Sequence, residues 1–108
     1  MTAQSRYVTR VLGQYIKLPG TLRRVLRQDR RTALDLYRRG VRLDIVENAF
    51  VLAIARRTFR SDADDLEPIR CLHYFVPVID ELIQQPPLPE YLDYLKGRLT
   101  TAGVLQPA

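Results

Sequence analysis

The chain has 108 residues, 46% of them hydrophobic and 27% charged, with a net charge of +5. That is enough for one domain with a single core and too ordinary a mixture for a disordered chain. A lone Cys71 excludes an internal disulfide, and no stretch approaches the ~20 apolar residues that span a bilayer. Met1 to Gln14 has no apolar leader run, so a reducing cytoplasm is the expected compartment.

The charge is unevenly placed. Residues 1–60 carry fourteen Lys/Arg against four Asp/Glu, a balance of +10. Residues 61–108 carry three against eight, a balance of −5. A basic half joined to an acidic half attracts polyanions to one side. Arginine outnumbers lysine fifteen to two. Bidentate phosphate contact favours that bias, and a GC-rich genome produces it as well.

In chain order, Ser5 reads as the N-cap of a first helix to about Lys17, with Val8, Val11, Leu12, Tyr15 and Ile16 on one side. Leu18-Pro19-Gly20 ends it.

Thr21 to Arg39 is the most informative segment. At about 100° per residue, Arg23, Arg24, Arg27, Arg30, Arg31 and Arg38 fall within an arc of about 120°. Leu22, Val25, Leu26, Ala33, Leu36 and Tyr37 fill a similar arc opposite, and only Asp29 and Leu34 break the pattern. Asp29 also fits as the N-cap of a shorter helix, Arg30 to Arg39, which would leave 21–28 as a basic loop. Both readings stand at this level. Gly40 closes the helix in either.

Asp44 to Thr58 is apolar nearly all round and is expected at the centre of the fold, with Arg56, Arg57 and Arg60 at its basic end. Ser61 to Glu67 reads as an acidic loop. Pro68 is placed in the first turn of a fourth helix, and the 3.6-residue rhythm of Ile69, Leu72, Phe75, Val76, Ile79, Leu82 and Ile83 runs through Pro77. One kinked helix is expected there. Pro86-Pro87 stops it, and Pro89 opens a last helix with Leu88, Tyr91, Leu92, Leu95 and Leu99 as its buried stripe. From about Gly103 a frayed tail is expected. The whole reads as one all-α domain, a small orthogonal bundle of four to six helices around a central apolar helix.

No catalytic site, metal site or cofactor is expected. His73 and Cys71 are two residues apart, which on a helix separates them by about 200° and defeats both a nucleophile–base pair and a metal grip. Asp62, Asp64 and Asp65 lack the glycine and terminal glutamate of a calcium loop. The five glycines stand alone, so no phosphate-cradling loop exists. Binding is the expected mode of action.

The expected partner is a nucleic acid, DNA or RNA, held by its backbone on Arg23, Arg24, Arg27, Arg30, Arg31 and Arg38. Arg56, Arg57 and Arg60, with Arg6 and Arg10, extend the patch if their helices are neighbours, and Tyr7 and Tyr15 are candidate stacking groups. The alternative is a non-catalytic interaction subunit whose acidic half and Pro-bounded last helix dock on a protein.

The middle of the chain resembles the DnaD-like domain of bacterial and phage replication-initiation proteins. The resemblance lies in Leu34 to Val41, with its Gly40-Val41 ending, in Leu43 to Arg57 with Ile45, Ala49 and Ala53 at helical spacing, and in Ile69 to Leu82 with Tyr74 and Ile79. It covers about half the chain. It implies DNA binding or remodelling and contacts with replication or mobile-element machinery, and it assigns no site residues.

Overall fold

A computed structural model describes residues 2–105. It contains five α-helices: α1 Ala3–Tyr15, α2 Arg27–Arg38, α3 Leu43–Thr58, α4 Val76–Gln84 and α5 Pro89–Thr101. Two short 3-10 turns lie between α3 and α4, at Ala63–Asp65 and Leu72–Phe75. Among the described residues there is no strand, only an isolated parallel bridge between Thr21 and Ile69. The all-α bundle expected from the sequence is the one observed.

α3 is the central element. Val46, Ala49, Phe50, Leu52, Ala53, Ile54 and Ala55 are all buried, which takes in most of its circumference. It packs on α1, α4 and α5, while α2 packs on α1 and on the Leu72–Phe75 turn. Phe75 gathers the aromatic core, with Phe50 at 4.9 Å and Tyr15 at 6.1 Å, both edge-to-face. Such edge-to-face pairs satisfy the ring quadrupoles as well as burying area.

Several local expectations are corrected. α1 starts earlier than Ser5: Thr2 is the N-cap, and the Ser5 N–H donates to Thr2 Oγ1 at 3.0 Å. It ends at Tyr15, with Ile16 as C-cap.

The continuous helix from Thr21 is not formed. Leu22 N–H is committed to Ile69 O, and Arg23 has φ 58°, a left-handed conformation that ends any helix. α2 begins at Arg27, with Leu26 at the N-cap position and Asp29 in the first turn. Asp29 is therefore neither a flaw in a longer helix nor an N-cap. Its Oδ2 accepts the Leu26 N–H at 2.8 Å, the reach-back half of a capping box, and Leu26 has no oxygen to supply the other half.

The helix expected from Pro68 through Pro77 is also corrected. Residues 66–71 are not helical, Cys71 is extended, and Ile69 N–H donates to Gly20 O at 2.7 Å. α4 begins only at Val76, so Pro77 falls in a first turn, where its missing N–H has no partner to lose. No kinked helix is needed.

In α5 the buried stripe is Leu92, Leu95 and Leu99, while Leu88 and Tyr91 are exposed. Gly40 (φ 75°) and Gly103 (φ 76°) close α2 and α5 in the same way. Val41 N–H donates to Leu36 O at 3.1 Å and Val104 N–H to Leu99 O at 2.9 Å, the long bond of a Schellman ending that requires a left-handed residue before it. Val104 and Leu105 then rest half-buried on the core. The remainder of the expected tail, residues 106–108, lies outside the described residues.

Candidate nucleic-acid interface

The pitch of α2 sorts its side chains into two faces. Asp29, Ala33 and Leu36 are buried. Arg27, Arg30, Arg31 and Arg38 are exposed and fall within an arc of about 100° on the far side. Arg27 to Arg38 spans about 16 Å along the axis at 1.5 Å per residue. Leu34 lies within that arc and is half-buried.

Arg23 and Arg24 are exposed but sit on the loop before the helix, so the single six-arginine helical face does not form. The loop is held at its base. Thr21 Oγ1 donates to Leu18 O at 2.9 Å and accepts the Arg23 N–H at 3.3 Å, beside the bridge to Ile69. The result is a basic loop running into a basic helix.

None of these six arginines has a carboxylate within ion-pair distance among the described residues. Arg6, Arg57 and Arg98 share that lack, and the remaining arginines are paired. Arg56 grips Glu81 through two bonds, at 3.0 and 2.6 Å, and Arg60 grips Asp62 at 2.9 and 3.0 Å. Those bonds raise the Arg56 pKa and hold the Glu81 and Asp62 carboxyls below the usual carboxylate range. Arg57 donates to the Glu67 carbonyl and lies 6.0 Å from the Tyr74 ring. Arg39 pairs with Asp80, Arg42 with Asp44 and Arg10 with Glu47.

Carboxylates of the acidic half therefore pair with Arg56 and Arg60 at the end of α3 and with Arg39 at the end of α2, and leave Arg27, Arg30, Arg31 and Arg38 without an ion pair among the described residues. Arg27 also stands at the helix N-terminus, where the macrodipole is positive and a cation is unfavourable. The Asp29 carboxylate in the same turn already caps that N-terminus, so the attraction for a polyanion comes from the exposed arginines rather than from the helix end.

Neither sequence-nominated stacking tyrosine offers a free ring. Tyr15 is fully buried. Tyr7 is half-buried edge-on to Tyr37 at 5.3 Å, and its hydroxyl donates to Val41 O at 2.9 Å. The exposed rings are Phe59, Tyr74, Tyr91 and Tyr94. Of these, Tyr74 adjoins Arg57, and Gly20 of the basic loop also approaches Arg57, with its Cβ position 3.2 Å from Nε. Reading 68–84 as one helix hid Tyr74, because on that helix it carried no signal of contact with α3.

Cys71 is half-buried in extended backbone and His73 is exposed on a 3-10 turn. Among the described residues, no three His, Cys, Asp or Glu side chains gather as a metal site requires. No described helix is long and apolar enough to cross a membrane. No protein-family model matches the chain, and no curated protein or solved structure is significantly similar to it.

Proposed function

We propose that this chain is a non-catalytic nucleic-acid-binding module that grips the phosphate backbone with Arg23, Arg24, Arg27, Arg30, Arg31 and Arg38. One observation carries this reading: those six guanidinium groups are clustered on one loop-and-helix segment with no carboxylate in ion-pair distance among the described residues, whereas Arg56 and Arg60 are each bonded twice to a carboxylate. An exposed face that is mostly arginine, with Gln28 its one amide side chain, favours phosphate contact over base readout. Arg56, Arg57 and Arg60 then flank the site rather than form it.

The resemblance of residues 34–41, 43–57 and 69–82 to DnaD-like domains points the same way, towards DNA and a bacterial or phage replication setting in the cytoplasm, although the third stretch is a helix only from Val76. The second reading, a protein-interaction module, is favoured by the exposed aromatic side chains of α5. The experiment is a titration with short single- and double-stranded DNA and RNA at several salt concentrations. Counterion release gives a log–log slope of about −0.9 per phosphate contact on duplex and about −0.7 on single strands. Absence of salt-dependent affinity for every probe would remove the nucleic-acid reading and leave the protein-interaction one.

A further inference from the structure

Granted that the basic loop and α2 grip phosphate, we propose that the shallow hollow beside Tyr74 is a nucleobase subsite, which makes the ligand a single-stranded nucleic acid. Tyr74 is 44% exposed, although Leu72 and Phe75 on the same 3-10 turn are fully buried. Its N–H donates to Cys71 O at 3.2 Å, and its ring meets that of Phe75 edge-to-face at 5.1 Å. An exposed ring carried by a turn of the core is a fixed platform, so little rotamer freedom is lost when a flat group stacks on it.

The hollow has a volume of about 250 Å³ and is lined by Tyr74, Ala53, Val78, Arg56, Arg57 and Arg60. Ala53 is buried and Val78 half-buried, and together they supply its apolar lining. Glu81 and Asp62 already hold Arg56 and Arg60 and compensate their charge. A phosphate gains little there. A base fits better, because it brings an uncharged flat face to the tyrosine and polar edges to the guanidinium groups.

Arg57 joins this hollow to the basic loop. Its guanidinium carbon is 6.0 Å from the centre of the Tyr74 ring, and its Nε is 3.2 Å from the Cβ position of Gly20. It donates to the Glu67 carbonyl and has no carboxylate partner among the described residues, so its charge stays uncompensated. Arg23 follows Gly20 by three residues, at most about 11 Å of chain. Ile69 N–H donates to Gly20 O and Leu22 N–H to Ile69 O, which fastens the loop to the segment leading into the Tyr74 turn. Cationic loop and aromatic ring therefore belong to one surface. Phosphates track along Arg23, Arg24 and Arg57, and the base beyond them turns in onto Tyr74. Within a duplex the faces of the bases are stacked on one another, so none is free for this ring. A positively charged track with an aromatic platform at its side is how single strands are held without sequence preference.

The test is fluorescence anisotropy with the full chain and end-labelled probes of about 12 nucleotides, within the range of single-strand site sizes. The probes are a single strand in DNA and in RNA, the corresponding DNA duplex, and an abasic deoxyribose-phosphate chain of equal length. The expected result is tighter binding of single-stranded DNA or RNA than of the duplex or the abasic chain. Tyr74→Ala should weaken single-strand binding about 5- to 100-fold, the scale of one lost base stack, and Tyr74→Phe should retain it. The salt slope should not change in Tyr74→Ala, because no phosphate contact is lost. Duplex and abasic-chain affinity should be unchanged as well, which also shows that the variant is folded. Equal affinity of the wild-type protein for the single strands and the abasic chain would overturn the proposal without any variant. So would single-strand affinity that Tyr74→Ala leaves unchanged. Both results leave the phosphate-gripping function standing, and only the absence of salt-dependent binding to every probe removes that function too.

Discussion

Asp29 and Leu72 are 43 positions apart in sequence and are joined by a hydrogen bond of 2.9 Å from the Leu72 N–H to Asp29 Oδ1. The other carboxylate oxygen holds the Leu26 N–H, so one side chain caps the start of α2 and the start of the 3-10 turn that leads into α4. Asp29 is fully buried in doing so. Asp29→Ala leaves both donors without a partner, at about 1–3 kcal/mol each, so a total loss of about 2–6 kcal/mol is expected in urea unfolding. Asp29→Asn keeps one acceptor oxygen and should lose about half as much. A loss below about 1 kcal/mol for the alanine variant would show that water replaces the carboxylate.

Tyr15 is the counterpart of Asp29, a buried polar group whose hydroxyl has no hydrogen-bond partner among the described residues. Burial, reinforced by the nearby Asp29 and Cys71, pushes its pKa up to about 12. The folded state thus favours the neutral phenol. That contribution is complete below the unfolded value of about 10 and is lost as pH rises through the folded value. Tyr15→Phe should be neutral or stabilising by up to about 1 kcal/mol at pH 7. It should also remove part of the alkaline loss between about pH 10 and 12, as read from unfolding midpoints against pH.

Phe50 is 2% exposed and meets Phe75 edge-to-face at 4.9 Å. Phe50→Ala should cost about 3–5 kcal/mol in denaturant unfolding. A cost under about 1 kcal/mol would mean that α3 is not the centre of the core.

Arg27 and Arg31 are exposed and make no ion pair among the described residues. Replacing both by Ala should weaken binding to all sequences alike and make the salt slope shallower by about one to two units. Melting temperature should barely move, because exposed charges contribute little to stability. Arg56→Ala with Arg60→Ala is the contrast. Those guanidinium groups already hold Glu81 and Asp62, so their removal should change the slope less. The opposite ranking would move the interface to the end of α3.

The class of fold was legible in the sequence because burial of a helix face leaves a 3.6-residue period. The central role of α3 showed in its nearly continuous apolar run, and the closing turn of α2 showed in Gly40; Gly103, read as the start of a frayed tail, instead closes α5 in the same left-handed conformation. The polarised charge was legible as well, since it is a count. Period alone misled at Ile69, Leu72 and Phe75. Their three-residue spacing suits a 3-10 turn and an extended approach as well as an α-helix, and Pro77 is harmless in a first turn.

Two matters were settled only by tertiary structure. Asp29 looked like an error on an apolar face, because its reason is the Leu72 N–H, which the chain brings beside it from 43 positions away. Which arginines stay free was equally invisible. Arg56 is neutralised by Glu81, 25 positions on, while the α2 arginines meet no carboxylate among the described residues. A one-dimensional pattern records which side chains share a face of their own helix. The partner that a face meets is decided by how the helices pack, and there the cost of burying an unsatisfied polar group chooses between arrangements that the pattern alone leaves equal.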